Sequence, residues 1–221
     1  MPTGTASKGS RTKLKVIDIA IRLAAKHGFG ETSFQMIADK LGLSQSAVMH
    51  HFSSKNALFE EMVRTIIRHN HEIVSELIDI HDNAGRRLLK HCLGNIMWTL
   101  RYKQSDGPLL ILLYYLACHE KNFSTIFDQM INTGRERLMT HLLAGQREGL
   151  FRINDPRVTA EILQDSLFGS MLYGASSPQK HPTPAEMEAK WRQAITALTG
   201  WTEPDPSPLI TTTERTPPET T

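Results

Sequence analysis

A short run of side chains suited to reading nucleic-acid bases lies between residues 45 and 50. Gln45 can bond bidentately to adenine, and Ser46 and His50 can donate or accept hydrogen bonds at base edges. Ala47 and Met49 can contact the methyl group of thymine. Each of these could equally be a solvent-facing side chain, or core in the case of Met49. The surrounding elements must therefore decide between the two interpretations.

Those elements are predicted to be two helices joined by a tight turn. Ala38 is a small residue where the two helices approach closely, and Gly42 tolerates a positive φ in the turn. Val48 is an apolar residue that packs the second helix against the first. Ser44 can cap the second, shorter helix. The spacing therefore predicts a helix-turn-helix at about residues 33–52. A helical hairpin that merely packs against its neighbours would show the same pattern.

Phosphate contacts are expected at helix N-termini, where free N–H groups and the positive end of the helix dipole favour anions. The candidates at or beside the starts of the second, third and fourth helices are Thr32, Ser33, Ser44, His51 and Lys55. Residues 1–70 hold ten lysines and arginines against five acidic residues, whereas the remaining chain holds fifteen against eighteen. This split favours a polyanion at the N-terminal end, although a solvated surface can carry the same excess.

Other reactive pairs have the wrong spacing for joint chemistry. His69 and His71 are two positions apart and Cys118 and His119 are adjacent, so a helix points each pair to different faces. No nucleotide-binding loop, zinc signature or nucleophile elbow is present, so we expect no metal, no cofactor and no catalytic residue. The cysteines lack CxxC spacing, which fits a reducing cytoplasm. The longest apolar stretch, from Pro108 to Cys118, is too short to span a membrane.

The whole chain is predicted to be all-α, with about nine helices, because apolar spacings of three and four recur throughout. The first helix should end near Gly28, and those after the helix-turn-helix are expected at about 55–80, 85–103, 107–119, 122–148, 155–174 and 184–199. The expected organisation is a disordered arm at 1–10, a helix-turn-helix domain at 11–60, a helical body at 61–201 and a disordered Pro/Thr-rich tail at 202–221.

The segment from Gly28 to Lys55, GFGETSFQMIADKLGLSQSAVMHHFSSK, resembles the DNA-binding segment of TetR-type transcriptional regulators. It preserves that family's Gly-aromatic, Thr-Ser, Ile-Ala, Gly-Leu-Ser and Phe-x-x-Lys elements at their spacing, and the resemblance covers about residues 11–60. By family role, Gln45, Ser46 and Ala47 would lie near bases. The sequence departs from the pattern at Met49, where the family usually has tyrosine. A hydroxyl that would bond to phosphate is therefore absent.

The resemblance implies an all-helical homodimer, with the last two long helices paired across a two-fold axis and an effector pocket among the central helices. It implies a repressor that binds a pseudo-palindromic operator in double-stranded DNA and is released by a small apolar or aromatic effector. Two alternatives stay open at this point. One is a ligand- or protein-binding module that no longer reads DNA, prompted by Met49, and the other is an enzyme on a helical scaffold.

Residue types alone give candidates in the body. Aromatic and flexible apolar side chains suit a small-molecule pocket, and the candidates are Trp98, Tyr102, Tyr114, Phe127, Met130 and Met171, with His91, His119 and Gln164 as polar anchors. Apolar stripes on the last two helices suit a four-helix seam between subunits, and the candidates are Phe168, Leu172, Met187, Trp191, Ile195 and Leu198. The same stripes could instead pack within one chain.

Overall fold

The computed structural model describes residues 8–102, 105–176, 182–203 and 209. Within those ranges all regular secondary structure is helical, which confirms the all-α prediction. The nine helices are α1 (Lys8–His27), α2 (Phe34–Leu41), α3 (Gln45–Met49), α4 (Lys55–Glu76), α5 (Ala84–Arg101), α6 (Asp106–Ala117), α7 (Lys121–Arg147), α8 (Pro156–Ser176) and α9 (Pro184–Thr199).

Most predicted helix ends lie within two residues of the observed ones, and two regions differ. α4 ends at Glu76 rather than near residue 80. α1 begins at Lys8, so residues 8–10, which we expected to belong to a disordered arm, form its first turn. The rest of the expected arm, residues 1–7, lies outside the described residues.

The N-terminal helices, α1 to α3, form a head around Ala38 and Val48, both of which are fully buried. The α2–α3 turn depends on Gly42, which has φ 64° in the left-handed region, where glycine carries no steric penalty. The buried residues of α1 and of the first turns of α4 belong to the same apolar cluster. The predicted helix-turn-helix pattern is therefore present, with each of its three marker residues in the expected role.

The head core continues into the body without a break. Phe59 on α4 packs edge-on against Phe123 on α7, with ring centroids 5.4 Å apart. Trp98 on α5 belongs to the same apolar cluster as Val48 in the head. A domain boundary at residues 60 and 61 therefore falls inside α4 and inside a shared core.

The rest of the body packs around α5, which contacts α4, α7, α8 and α9. Met187, Trp191 and Ile195 on α9 are at most 5% exposed and pack against α5 in a second apolar cluster, and Leu198 packs at its edge. Leu198 is only half-buried, so its assignment to the dimer interface stays a prediction. The assignment is wrong for Met187, Trp191 and Ile195. Their apolar surface is already covered within one chain, which was the alternative interpretation of the stripe.

The beginning of the predicted disordered tail is held by ion pairs. Glu203 pairs with Arg86 at 2.6 Å and also with Arg192. The Leu209 backbone N–H donates to the Glu188 carboxylate at 3.1 Å. The Glu203 carboxylate and the Leu209 N–H therefore contact the body within the segment that the sequence predicts to be disordered. Residues 204–208 and 210–221 of the expected tail lie outside the described residues.

Candidate DNA-binding surface and ligand cavity

The outer face of α3 presents the predicted base-reading residues to solvent. Gln45, Ser46 and His50 are exposed, and Met49 is 47% exposed. Ala47 is half-buried. Val48 points into the head core, so the opposite side of this one-and-a-half-turn helix is free to approach a partner. The geometry keeps the base-reading prediction open for all five residues, with the smallest accessible area at Ala47.

Two of the predicted phosphate-contacting serines are N-caps. The Ser33 hydroxyl accepts the Met36 N–H at 3.2 Å, and the Ser44 hydroxyl accepts the Ala47 N–H at 3.2 Å. The Ser44 and Ser46 hydroxyl oxygens lie 2.9 Å apart. A hydroxyl that accepts a capping bond still has a proton to donate, so the exposed Ser33 keeps a donor for an anion. Phosphate contact by the two serines stays a prediction.

Thr32 does not have the predicted role. Its side chain is 3% exposed and its hydroxyl donates to the Gly28 carbonyl at 2.9 Å. The Thr32 backbone N–H donates to the same carbonyl at 3.2 Å. Both donors of this residue are therefore occupied in closing the turn between α1 and α2, and the prediction that its hydroxyl contacts phosphate is wrong.

Lys55 lies beside the starts of α2 and α3. Its ammonium donates to the Gly30 carbonyl at 2.5 Å and lies 4.9 Å from the centroid of the Phe29 ring. Ser33, Gln45 and Lys55 share one surface depression, so the structure brings a hydroxyl, an amide and a cation together. His51, the remaining phosphate candidate, is half-buried, with its ring 5.7 Å from that of His50.

A cavity that opens partly to solvent lies between α4, α5, α6, α7 and α8, with a volume of about 70 Å³. Of the six predicted pocket residues, Trp98, Met130 and Met171 line it. The polar candidates His91 and Gln164 also line it, whereas the exposed His119 does not. The structure therefore supports the predicted location and half of the predicted apolar lining.

The other three predicted pocket residues, Tyr102, Tyr114 and Phe127, lie outside the cavity wall. Tyr102 packs against the His69 ring with centroids 4.8 Å apart. Tyr114 and Phe127 pack against Phe168 at 5.8 and 5.5 Å. The prediction is wrong for these three because it used residue type, and residue type does not say which side of a helix faces the cavity.

Other lining residues were assigned elsewhere or had no predicted role. Phe168 and Leu172, predicted for the dimer interface, also line the cavity. Asn70, Asn95 and Arg137 had no predicted role, yet all three line it. Asn70 carried a usable signal, since it is a polar residue on the otherwise apolar inner face of α4.

Burial controls the protonation of the histidines near the cavity. Desolvation, with the nearby Arg137 charge as a further cause, holds the pKa of His91 well below its usual value. His141, whose ring is 5.3 Å from that of His91, has its pKa lowered to about 4 by burial, Arg87 and Arg137. Both imidazoles are therefore neutral at pH 7. In the described ranges no three His, Cys, Asp or Glu side chains group closely enough to hold a metal ion.

Across the same ranges no helix is both long and apolar enough to cross a membrane. Residues 16–62 match the family model described as "Bacterial regulatory proteins, tetR family". The protein named "Probable acrEF/envCD operon repressor" of Escherichia coli strain K12 is 34% identical over 179 residues, which cover 78% of this chain and 79% of that protein. The HTH-type transcriptional repressor KstR2 of Rhodococcus jostii is 26% identical over 176 residues, which cover 75% of this chain and 80% of that protein.

The crystal structure of AibR in complex with isovaleryl coenzyme A and operator DNA is 21% identical and has a TM-score of 0.61, covering 86% of this chain and 99% of that one. This similarity confirms the fold. The two sequence relatives are transcriptional repressors by name, and neither is named as an enzyme. Together with the exposed face of α3, the matches confirm the resemblance: the chain belongs to the tetR family of bacterial regulatory proteins, which are DNA-binding transcriptional regulators.

Proposed function

We propose that this regulator is a repressor that binds a pseudo-palindromic operator as a homodimer and releases it when a small effector fills the cavity. The observation that carries the proposal is the position of the exposed α3 face on a head whose core is continuous with the cavity wall. Recognition and effector binding then share one packed structure. The proposed partners are double-stranded DNA, the effector and a second copy of the chain.

On DNA, α3 would enter the major groove with Gln45 and Ser46 at base edges, and the two subunits would occupy half-sites about one helical turn apart. Ser33, Ser44 and His51 would contact the flanking phosphates. Lys55 would join them, because an ammonium has three donors and the Gly30 carbonyl occupies one. These contacts are proposed from exposure, hydrogen-bonding capacity and the shared depression that holds Ser33, Gln45 and Lys55.

Effector binding can reach the head through α4. This helix lines the cavity at Ile67 and Asn70, and three turns earlier its Phe59 belongs to the head core. A ligand that favours one position of α4 would change the separation or the populations of the two heads in a dimer. By linkage, DNA and effector would weaken each other's binding by the same factor.

The dimer interface is proposed on the outer faces of α8 and α9, since their inner faces are buried within the chain. Val158, Ile162 and Tyr173 on α8 are 46%, 44% and 60% exposed and fall on one side of the helix. On α9 the outward positions include the exposed Ala185 and Ala189, small residues that let another helix approach closely. A four-helix seam between two subunits would cover both faces.

We also propose that the protein acts in the cytoplasm, where its DNA partner lies, and that it catalyses no reaction. Neither proposal depends on a cofactor. The expected activity is the coupled binding of DNA and effector to one protein, and it requires only the base-reading face, the cavity and the dimer.

A salt-titrated mobility shift with DNA flanking the protein's own gene tests the proposal. Gln45→Ala should weaken specific binding by about 1–3 kcal/mol per half-site, and Lys55→Ala should weaken it on all sequences and lower the salt slope by about one charge per subunit. Gln129→Ala, at an exposed position on α7, is the matched control and should bind as the parent does. Lack of preference for any site, or binding unaltered by both head changes, would contradict the proposal.

A further inference from the structure

The cavity wall carries one permanent charge. Among the residues described around it, Arg137 on α7 is the only lysine or arginine, and no aspartate or glutamate lines the wall. The two lining histidines, His71 and His91, have pKa values lowered by burial, so they add no charge at pH 7. The electrostatic character of the cavity at neutral pH is therefore set by one guanidinium.

Arg137 has no counter-ion among the described residues. Its guanidinium donates to the Ser75 hydroxyl at 3.4 Å. Arg135, two residues earlier on the same helix, does have an acidic partner, Asp165, at 3.6 Å. Burial lowers the pKa of Arg137, but a guanidinium in a protein stays protonated. A partly desolvated cation without a carboxylate is costly, and an anion bound beside it would offset that cost.

Three buried polar atoms of the cavity residues also lack a hydrogen-bond partner. They are Asn70 Nδ2, Trp98 Nε1 and His91 Nδ1. The amide nitrogen and the indole nitrogen are donors only, so a partner for them must carry acceptor atoms. Buried groups of this kind are normally satisfied by protein, water or ligand. For Asn70 and Trp98 the unmet requirement is therefore for acceptors, which matches the sign of the Arg137 charge.

Most of the remaining wall is apolar, with Asn95 and Gln164 as further neutral polar residues. Trp98, Met130, Phe168 and Met171 offer an aromatic and thioether surface that suits a hydrophobic body. The wall therefore has two chemically different parts, one apolar and one that combines a cation with unpaired donors.

We propose that the ligand of this cavity is a small amphipathic carboxylate. Its acidic group binds Arg137 and accepts hydrogen bonds from the unpaired donors, and its apolar body contacts Trp98, Phe168 and the methionines. The proposal rests on the proposed function in one respect, which is that the cavity is the effector site.

Calorimetric titration of the full chain with three matched probes tests the ligand class. The probes are phenylbutyrate, its neutral methyl ester and the cationic phenylbutylamine. Phenylbutyrate should bind at least tenfold more tightly than the ester, as expected for hydrogen bonds to a charged group, and the amine should bind most weakly. Equal or tighter binding of the ester or the amine overturns the proposal, as does an absence of phenylbutyrate binding at millimolar concentration.

Variants then assign the preference to one residue. Arg137→Gln should lose at least tenfold in phenylbutyrate affinity and keep its ester affinity, which also shows that the cavity remains folded. Arg137→Lys should lose less, because it keeps the charge without the planar fork. Arg135→Gln removes a charge from the same helix outside the wall and should change phenylbutyrate affinity less than twofold. Loss of the preference in Arg135→Gln, or its survival in Arg137→Gln, overturns the assignment.

The mobility shift separates this inference from the proposed function. A parent protein that binds its operator while phenylbutyrate fails to bind refutes the ligand class and leaves the repressor proposal intact. Arg137-dependent binding of phenylbutyrate by a protein that shows no preference for any DNA site refutes the repressor proposal and leaves the ligand class intact.

Discussion

In the head of this regulator, the candidate DNA-contacting residues lie close together in the sequence. In the body, the residues that line the cavity are far apart in the sequence. From Ser33 to Lys55, the head uses two serine caps and one left-handed glycine to fix the direction of α3. The cavity is instead lined by five consecutive helices, α4 to α8. Geometry in the head is therefore mostly a matter of local backbone conformation, whereas geometry in the body depends on which distant side chains fit against one another.

Gly42 in the head and Gly145 in the body illustrate this difference. Gly42 in the head has φ 64° and no heavy atom within 4 Å of an added Cβ, so only its backbone conformation requires glycine. Gly145 in α7 is absent from the set of positive-φ glycines, but an added Cβ would overlap the ring of Phe151. The first glycine is required by conformation and the second by packing.

The largest predicted effect comes from adding a side chain at Gly145, where the ring of Phe151 leaves no room for a Cβ. Gly145→Ala should lower the free energy of unfolding by about 3 kcal/mol, because Phe151 is 6% exposed and its ring has little room to move. Urea denaturation measures the change. Adding Phe151→Leu should recover part of the loss, since a smaller, flexible side chain makes room. If Gly145→Ala alone is as stable as the parent, the body core accommodates an added Cβ more easily than its packing implies.

The same distinction explains what the sequence could predict. Ala38, Gly42 and Val48 have roles defined within eleven residues, so their spacing alone placed the helix-turn-helix correctly. Thr32 was misassigned because its type suits both a phosphate contact and a buried turn, and only the contact with Gly28 decides between them. The helix boundaries followed from local signals in the same way.

In the body, the apolar stripe containing Trp191 was evident, but its partner was not. Whether a stripe faces a second subunit or α5 depends on residues about a hundred positions away. Arg137 was missed for a similar reason, since a charged residue on a long helix is ordinary until the structure shows no acidic partner for it among the residues it describes. Periodicity identifies a buried face and does not identify what covers it.

The second-largest predicted effect is a pH dependence of the free energy of unfolding that originates in the body. Unfolding raises the pKa of His141 from about 4 to the ordinary histidine value, so below pH 6.5 the unfolded chain binds a proton that the folded chain does not. The free energy of unfolding should therefore fall as pH falls from 6.5 towards 4, by about 2 kcal/mol at pH 5 from this residue. The lowered pKa of His91 acts in the same direction.

Denaturation at several pH values checks this dependence. His141→Gln should flatten the curve, whereas His119→Gln, at an exposed side chain after α6, should leave it unchanged. An unaltered slope in His141→Gln would show that the loss of stability originates elsewhere in the molecule.

A smaller effect is expected from conformation alone. Gly42→Ala should destabilise the head by about 1 kcal/mol, because the left-handed region penalises a Cβ even where space is free. Gly42→Asn should cost less, since asparagine tolerates this region better. Gly30→Ala is the control, because Gly30 also has no neighbour within 4 Å of an added Cβ and is absent from the positive-φ glycines. Thermal denaturation should rank the three, and equal effects at Gly42 and Gly30 would refute the conformational explanation.

The smallest effect tests how α3 meets DNA. Met49 is 47% exposed at the end of the recognition helix, at the position where the sequence pattern of the family favours tyrosine. If that end of α3 faces a phosphate, Met49→Tyr adds one hydrogen bond and should strengthen operator binding by about 0.5–1.5 kcal/mol per half-site. Met49→Phe supplies the same ring without the hydroxyl, so the difference between the two variants isolates the hydrogen bond. Equal affinities for Met49→Tyr and Met49→Phe would mean that this end of α3 lies away from the phosphate backbone, and the base-edge roles of Gln45 and Ser46 would then need a different docking angle.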